Sequence, residues 1–289
     1  MHNKVYVLLP VHNRKNTTLK FVSLLKQQDH LNYTLLLIDD GSDDGTAEAV
    51  CKELPQTIVL KGKGNWWWGG SLHQGYKWLK QQNISEDDVV LIMNDDTEIK
   101  TDFISTGISV LNKNKKTILL AAAYDLKTGQ LADHGVFYDF KKNNIISTDK
   151  DHALNCLSTR GLFLKASDFI SLGGFYPRLL PHYLSDYEFT IRAYRKGYHL
   201  ICSDEVRLWF DDTTSGIHSI DMKSRKWREY WKTYFSKRYA DNPVYAINFY
   251  LLAFPFPYNI KHTFIRFKRF LKTFLSVLKY NLTHSESKA

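Results

Sequence analysis

The stretch Ile38-Asp39-Asp40-Gly41-Ser42-Asp43-Asp44-Gly45-Thr46 is the most informative part of this chain, because an apolar segment changes there abruptly into an acidic turn. The residues that lead into it, Thr34–Ile38, form a short apolar run that predicts a buried strand. The same arrangement occurs twice more. Val5–Val11 leads into His12-Asn13-Arg14, and Val89–Met93 leads into Asn94-Asp95-Asp96-Thr97.

Segments with helical spacing separate these strands, and they predict the fold. The expected helices are Thr17–Gln28, Gly45–Leu54 and Gly69–Gln82, with a further strand at Thr57–Leu60. Strands that alternate with helices at this spacing indicate an α/β fold, in which helices flank a mostly parallel sheet. Beyond residue 115 the pattern is weaker, and it predicts strands at Thr117–Ala123, Gly161–Leu164 and Leu200–Cys202 and helices at Ala166–Leu172 and Asp186–Lys196.

The length of 289 residues and the 44% of hydrophobic residues fit one large domain with an appendage. We expect a catalytic domain over residues 1–220 and a helical C-terminal region over residues 221–289. After Pro243 the composition becomes aromatic and then basic, which indicates a change of role along the chain.

The formal net charge of +9 raises the question of an anionic partner. Six basic residues lie between Lys261 and Lys279, where apolar residues recur at helical spacing. The pattern predicts a basic amphipathic helix that lies on anionic lipid, and it leaves open packing on the catalytic domain or contact with a second subunit of a homodimer. A nucleic-acid partner is not expected, because the basic residues are interleaved with apolar ones on one terminal helix.

The cysteines and the N-terminus bear on where the protein resides. The three cysteines are far apart and form no CxxC pair, which favours reduced thiols over a disulfide framework or a zinc site. The first apolar stretch is too short for a signal peptide. The apolar run Tyr245–Tyr258 is broken by two prolines and is too short to span a bilayer. We therefore expect a cytoplasmic protein that is peripheral on the inner face of the cell membrane.

The three polar clusters are expected to meet, because ligands of open parallel sheets bind beyond the carboxyl ends of the strands. Each cluster alone is more often a polar turn; Asp43, Asp44 and Thr46, for example, are suited to cap a helix. Three clusters at one edge of the sheet favour a binding site over three unrelated polar turns. Acidic groups that converge there repel one another unless a cation or hydrogen-bond donors lie between them.

The segment Gly62–Ser71 contains three adjacent tryptophans and opens the predicted third helix. Its glycines allow backbone N–H groups to approach phosphates at a helix N-terminus. Stacking of a tryptophan on a sugar ring is one use, and contact with a membrane or another domain is the alternative. The residues of this segment that are expected to bind donor or acceptor are Asn65, Trp67, Trp68, Gly69 and Gly70. His182, outside the segment, joins this set because it lies four residues before Asp186.

On these residues the chain resembles the family-2 glycosyltransferases, inverting enzymes with the GT-A fold, of the type that builds bacterial surface polysaccharides. The resemblance rests on the three strand-end clusters and on Ser185-Asp186-Tyr187-Glu188 with Arg192 and Gly197. It covers residues 4–215 in the family's order. The Asp-Asp-Gly-Ser-x-Asp-Gly-Thr stretch is specific, and the other motifs are weak alone.

The resemblance implies roles for individual residues. The residues expected to bind the nucleotide are Pro10, Asn13, Arg14, Asp39, Asp40, Asn94 and Asp95. Asp96 is the expected ligand of a divalent cation, Mg²⁺ or Mn²⁺, because hard cations prefer carboxylate and diphosphate oxygens. Asp186 is the expected catalytic base, although Ser185 stands where the family usually has Glu. His218 is a candidate second metal ligand, with an ordinary surface histidine as the alternative.

The resulting hypothesis is an enzyme, a hexosyl- or deoxyhexosyltransferase. It would move a sugar from a nucleoside-diphosphate sugar to a glycan or lipid-linked glycan acceptor. Two other interpretations remain: a sugar nucleotidyltransferase, and a non-catalytic module that binds nucleotide or carbohydrate. A nucleotidyltransferase would carry a glycine-rich basic signature near the first strand, which residues 10–14 do not supply. A binding module would have no use for Asp186.

Overall fold

The structure is a computed structural model that describes residues 3–147, 154–211 and 227–285. The strands, in chain order, are β1 (Val5–Val11), β2 (Tyr33–Asp39), β3 (Ile58–Lys61), β4 (Val89–Ile92), β5 (Thr97–Ile99), β6 (Thr117–Asp125), β7 (Leu131–Asp133), β8 (Val136–Asp139), β9 (Asn144–Ser147), β10 (Leu162–Lys165) and β11 (His199–Phe210). The helices are α1 (Lys15–Leu25), α2 (Thr46–Glu53), α3 (Trp67–Leu79), α4 (Phe103–Leu111), α5 (Ala166–Leu172), α6 (Ser185–Arg195), α7 (Trp227–Tyr234), α8 (Pro243–Ala253) and α9 (Tyr258–Ser285).

One central sheet organises the molecule, with strand order β3-β2-β1-β4-β10-β6-β11-β5 and with β7 beside β6. Strands β1 to β4 are parallel, as predicted, and β6 is parallel to β11. Strand β10 is antiparallel to both of its neighbours, so that Leu162 pairs with Ile92 on one side and with Leu120 on the other. The predicted α/β fold with helices flanking the sheet is confirmed.

Both faces of the sheet are buried, and β1 shows how its sequence serves both. Val5, Val7 and Leu9 pack on one face in a cluster that includes Phe21 and other residues of α1. Leu8 belongs to the opposite cluster, which contains residues of α3 and α5. Alternate residues of a strand point to opposite faces, so a strand covered on both sides is apolar throughout. Each fully buried aliphatic side chain contributes about 1.5–3 kcal/mol.

The C-terminal helices pack on the rest of the chain. Phe249 and Ala253 of α8 are buried in a cluster with Tyr138 of β8 and Ile191 of α6. Helix α7 packs on α9 through a second aromatic cluster around Tyr234. The predicted amphipathic helix at 261–279 is confirmed within the longer α9, whereas the predicted domain boundary at 220/221 lies outside the described residues. No helix in the described ranges combines the length and apolarity that a bilayer crossing requires.

Candidate active site

The ends of β1 and β2 are joined by short polar contacts. Asp39 is buried, and its Oδ1 accepts a hydrogen bond of 2.9 Å from the backbone N–H of Ser42. Asn13 has a positive φ of 52°, donates its backbone N–H to Ser42 Oγ and accepts the N–H of Asp43 at 2.8 Å. Pro10 is buried and pairs in register with Ile38. The predicted nucleotide-binding residues Pro10, Asn13 and Asp39 therefore lie together at one edge of the sheet.

The neighbouring Asp40 is also buried, but its carboxylate is engaged within the protein. Oδ1 accepts the backbone N–H groups of Gly64 (2.9 Å) and Asn65 (3.1 Å). Oδ2 accepts those of Trp66 (2.7 Å) and Trp67 (2.9 Å). These N–H groups lie at the start of α3, where a helix leaves donors without intrahelical partners. The Asp40 carboxylate thus holds the tryptophan-rich loop against the end of β2, and its predicted contact with a nucleotide stays a prediction.

Beyond β4, Arg14 joins two carboxylates. Its Nε lies 2.9 Å from Asp95, and one of its terminal nitrogens lies 3.1 Å from Asp96 Oδ2. Asp95 is buried and also accepts a hydrogen bond of 2.8 Å from Thr18 Oγ1. Burial raises the pKa of the Asp95 carboxyl above its ordinary value, and the nearby Arg14 and Thr18 oppose that rise. The predicted residue Asn94 is partly buried beside them, and its carbonyl accepts the Thr97 hydroxyl.

Asp96 has an oxygen that is suited to a cation. Its Oδ1 is buried and has no hydrogen-bond partner, while Oδ2 faces Arg14. An orphaned anionic oxygen beside the nucleotide edge fits a hard divalent cation. Across the described ranges, no three His, Cys, Asp or Glu side chains converge as a ready-made metal site. The predicted ligand His218 lies outside the described residues.

Asp186 lies in the first turn of α6 and is partly buried. Its Oδ1 accepts the backbone N–H of Tyr187 at 2.9 Å. Burial raises the pKa of the Asp186 carboxyl to about 6, with a further rise from Asp133 and an opposing effect from Arg160. The carboxylate is thus ionised near neutral pH, yet it is more basic than an exposed aspartate. These are the properties of a general base.

The rest of the Ser-Asp-Tyr-Glu motif is structural. Glu188 is buried and forms an ion pair of 2.8 Å with Arg192, whose guanidinium also donates to the carbonyl groups of Leu172 and Gly174. Ser185 Oγ donates to the carbonyl of His182 at 2.6 Å and fixes the loop that precedes α6. Ser185, which replaces the family's usual Glu, therefore contributes a turn contact.

Arg160 is a candidate site residue that the sequence did not reveal. It precedes Gly161, whose N–H donates to Ile92 O at 3.0 Å, so Arg160 lies beside the end of β4. Its guanidinium carbon lies 3.7 Å above the Phe210 ring, and its Nε is buried without a partner. The guanidinium charge acts on Asp186, yet Arg160 forms no ion pair with a carboxylate among the described residues. A single arginine in Ser-Thr-Arg-Gly carries no periodic signal that could have identified it.

The tryptophan-rich segment divides into core and site residues. Trp66 and Trp68 pack against the hydrophobic core, and Trp68 Nε1 donates to Thr159 Oγ1 at 3.0 Å. Trp67 has a positive φ of 60°, and its ring lies 5.4 Å from the ring of His182. Burial and the nearby Arg238 lower the pKa of His182 to about 4, so this imidazole is neutral near pH 7.

The two predicted glycines of α3 are buried. The Gly69 N–H donates to Pro181 O at 2.9 Å, and a Cβ on Gly69 would lie 2.6 Å from Leu180 O. Gly69 thus permits close packing of α3 on the loop before Asp186. Gly70 is covered by Trp66 and Pro177, whose Cβ atoms would lie 3.2 and 3.6 Å from an added Cβ. Their part in phosphate binding stays a prediction, whereas Asn65, Trp67 and His182 are grouped beside the α6 loop.

Comparison with known proteins gives the family and the fold. The family model described as "Glycosyl transferase family 2" matches residues 6–168, more than half of the chain. Two proteins named "Uncharacterized glycosyltransferase", from Rickettsia conorii and Rickettsia felis, are each 40% identical over 52 residues. That match covers 17% of this chain and 9% of each relative, so the chain matches less than a tenth of the length of these curated relatives.

Solved structures with the same fold include three glycosyltransferases. Mannosyltransferase PcManGT from Pyrobaculum calidifontis, in complex with GDP-Man and Mn²⁺, has a TM-score of 0.57 and 16% identity, over 75% of this chain and 59% of that one. Residues 1–349 of S. aureus TarS have a TM-score of 0.55 and 17% identity, over 72% of this chain and 60% of that one. GalNAc-T7 with UDP, GalNAc and Mn²⁺ has a TM-score of 0.59 and 13% identity, over 97% of this chain and 58% of that one. These likenesses show a GT-A-like fold.

Proposed function

Since the chain belongs to glycosyl transferase family 2, we propose that it transfers a hexosyl or deoxyhexosyl group from a nucleoside-diphosphate sugar, with inversion, to a glycan or lipid-linked glycan acceptor. The product would be part of a surface polysaccharide. The single observation that carries the proposal is Asp186, a carboxyl group whose pKa burial raises to about 6 and whose charge interacts with Arg160, the residue beside the end of β4.

The donor would bind at the ends of β1, β2 and β4. Asp39 is suited to accept hydrogen bonds from a base or ribose, and Arg14 supplies positive charge beside Asp95 and Asp96. The related structures support this arrangement, since PcManGT was solved with GDP-Man and TarS with UDP. The nucleotide-binding set of the sequence analysis is retained here as a proposal.

A divalent cation, Mg²⁺ or Mn²⁺, would be held by Asp96 through its unpartnered Oδ1. When bound, it would neutralise negative charge on the diphosphate. Mn²⁺ in two of the related structures supports this assignment. Arg160 is suited to assist, because its guanidinium has no carboxylate partner among the described residues and so retains its full charge for an anion.

Asp186 would take the proton of the acceptor hydroxyl while that oxygen attacks the anomeric carbon. The attack forms the new glycosidic bond as the bond to the nucleoside diphosphate breaks, and the diphosphate leaves with the bonding electrons. Asp186 Oδ1 is engaged by the Tyr187 N–H, so Oδ2 is the oxygen suited to receive the proton. Attack from the face opposite the leaving group inverts the anomeric configuration.

A location at the inner face of the cell membrane is supported by α9. Six apolar residues of this helix are 36–61% exposed: Ile260, Phe264, Phe267, Leu271, Leu275 and Leu278. Phe256, just before the helix, is 81% exposed. At 100° per residue they form one stripe, opposite the side chains of His262, Arg266 and Val277 that pack inward. Lys261, Lys268, Lys272 and Lys279 flank that stripe. An apolar stripe with a basic flank fits the surface of an anionic bilayer, and a homodimer contact is the alternative.

A donor screen tests the proposal. Purified protein is incubated with a panel of nucleotide sugars and Mg²⁺ or Mn²⁺, and release of nucleoside diphosphate is measured for wild type, Asp96→Ala and Asp186→Asn. We expect one donor to be turned over, Asp96→Ala to lose donor binding, and Asp186→Asn to bind donor but scarcely react. A donor that binds without turnover, with any acceptor tried, would favour the binding module instead. Formation of nucleotide sugar from sugar phosphate and nucleoside triphosphate would favour a nucleotidyltransferase.

A further inference from the structure

The connection between α7 and α8 reaches back to the tryptophan-rich loop. Lys237 Nζ lies 5.9 Å from the centre of the Trp67 ring and donates to the carbonyl of Asn65 at 3.3 Å. The guanidinium carbon of Arg238 lies 6.0 Å from the same ring. Two cationic side chains from the C-terminal region therefore meet one indole of the catalytic domain.

Neither cation is neutralised by a carboxylate of the described residues. In the described part of the chain, Lys237 and Arg238 form no ion pair with a carboxylate. The nearest acidic residue along the chain, Asp241, pairs instead with Arg266 at 2.8 Å and Arg269 at 3.5 Å. Two unpaired cations beside one ring repel each other, and a bound anion would remove that cost.

The Trp67 ring beside these two cations is held by several contacts. Trp67 adopts a φ of 60°, a conformation that is unfavourable for a bulky residue and persists only where surrounding contacts enforce it. Here Asp40 fixes its backbone, and His182 lies against its ring at 5.4 Å. His182 is neutral near pH 7, with a buried Nδ1 that has no hydrogen-bond partner. A fixed indole beside an unpartnered polar atom and two cations is suited to a ligand that has both a face of C–H groups and an anionic group.

We infer that Trp67, His182, Lys237 and Arg238 form a subsite for a phosphate-bearing sugar on the acceptor. The sugar ring stacks on Trp67, and the phosphate takes hydrogen bonds from Lys237 and Arg238. His182 lies four residues before Asp186, in the loop that the Ser185 contact fixes, so the subsite adjoins the segment that carries the proposed base. The inference rests on the proposed function, and it narrows the acceptor to glycans that carry a phosphate close to the reacting sugar.

Calorimetric titration with two matched probes tests the subsite. α-D-Glucose 1-phosphate supplies ring and phosphate, and methyl α-D-glucoside supplies the ring alone. We expect the phosphate to bind about tenfold more tightly to the wild-type protein, as charge-assisted hydrogen bonds predict. The titration is repeated with Mn²⁺ and a saturating nucleoside diphosphate, UDP or GDP. Binding that survives the nucleotide belongs to the acceptor side, whereas displacement would assign the anion to the donor site and overturn the inference.

Variants locate the effect. Lys237→Gln and Arg238→Gln should each reduce the preference for the phosphate, and the double variant should abolish it while methyl glucoside binding stays unchanged. Trp67→Leu should weaken both probes. Lys80→Gln, at the exposed C-terminal end of α3, is the matched control and should retain the full preference. Equal affinity of the wild type for the two probes, absence of binding by either, or a preference that persists in the double variant would each refute the subsite.

The same variants separate this inference from the proposed function. Donor hydrolysis without acceptor requires the nucleotide edge and not the subsite, so Lys237→Gln/Arg238→Gln should release nucleoside diphosphate at the wild-type rate. If no donor is turned over by the wild type, the proposed function fails. If turnover is normal but phosphate confers no preference, the subsite alone fails.

Discussion

Oδ2 of Asp40 accepts a hydrogen bond of 2.9 Å from the backbone N–H of Trp67, the residue whose positive φ turns its ring toward His182. The second aspartate of the Asp-Asp-Gly-Ser turn therefore acts on a loop that begins more than twenty residues later. Asp40 fixes the backbone that carries the Trp67 ring, and the neighbouring Asp39 supplies the carboxylate that is suited to a nucleotide.

Asp40→Asn should destabilise the fold, because the neutral amide replaces one of two oxygens that together accept four N–H groups. We expect a loss of about 2 kcal/mol or more in the free energy of unfolding, measured in urea. Asp43→Asn is the matched control, since Asp43 is an exposed carboxylate of the same turn. Equal stabilities for the two variants would contradict the structural role of Asp40.

The charge of Arg14 opposes the rise in the pKa of the buried Asp95 carboxyl, and Arg14→Met should leave that carboxyl without its cation. The pKa of Asp95 then rises further. The cost of charging Asp95 grows as the pH rises from the ordinary pKa of 3.8 to the raised folded pKa, so the variant should lose about 1–3 kcal/mol at pH 8 and less at pH 4.5. Denaturant unfolding at the two pH values measures this difference. The double variant Arg14→Met/Asp95→Asn should recover part of the loss, and additive losses would argue against the pair.

Asp186 couples catalysis and stability to pH with opposite signs. The ionised form accepts the proton, so activity should fall about tenfold per pH unit below pH 6. In the folded protein that ionised form is disfavoured, because the folded pKa of about 6 exceeds the ordinary value of 3.8. The charge therefore costs stability above pH 6 and has no effect below about pH 4, where both states are neutral.

Asp186→Asn should accordingly be inactive but more stable than the wild type at pH 8, by at most about 3 kcal/mol. Thermal unfolding at pH 8 and at pH 4 measures this, and the gain should vanish at the lower pH. A variant that is destabilised equally at both pH values would contradict the raised pKa.

The assignment of Asp96 can be checked without turnover. Mn²⁺ with nucleoside diphosphate should raise the melting temperature of the wild type, because a ligand that binds only the native state stabilises it. Asp96→Asn removes the negative charge of the carboxylate that carries the unpartnered Oδ1, and it should abolish most of the increase in melting temperature. Asp87→Asn, at an exposed carboxylate just before β4, is the control and should respond as the wild type does.

Membrane binding by α9 is tested by flotation with vesicles. The triple variant Phe264→Asp/Leu271→Asp/Leu275→Asp should lose binding to vesicles that contain anionic lipid, and purely zwitterionic vesicles should bind the wild type less. Leu31→Asp, at a leucine that is 78% exposed elsewhere, controls for the added charge. Unchanged flotation of the triple variant, together with a change from dimer to monomer, would assign the stripe to a second subunit.

The sequence predicted what local pattern controls. The strands β1, β2 and β4 follow from their apolar runs, and the polar clusters that end them were correctly expected at one edge. Helix α4 was missed because Gly107 is a poor helix former, and it is required there by the ring of Phe163, which a Cβ would strike. Strand β11 was predicted too short, because a register shift between Ser203 and Arg207 interrupts its alternation.

The parts of the site that were missed depend on contacts between distant segments. Arg160 gains its position from pairing of β10 with β4, and Lys237 reaches Asn65 across 172 residues. No periodicity links such residues, so only the folded chain reveals them. Asp186, which had been predicted from a motif, acquires its unusual pKa from burial that the motif itself does not encode.

Because β10 runs in the opposite direction to β4, the polar edge of the sheet consists of two parts. The loops that follow β1, β2 and β4 form one part, and the segment that runs into β10 from the opposite direction, ending at Arg160, forms the other. Residues that are far apart in the sequence therefore line the same edge of the sheet.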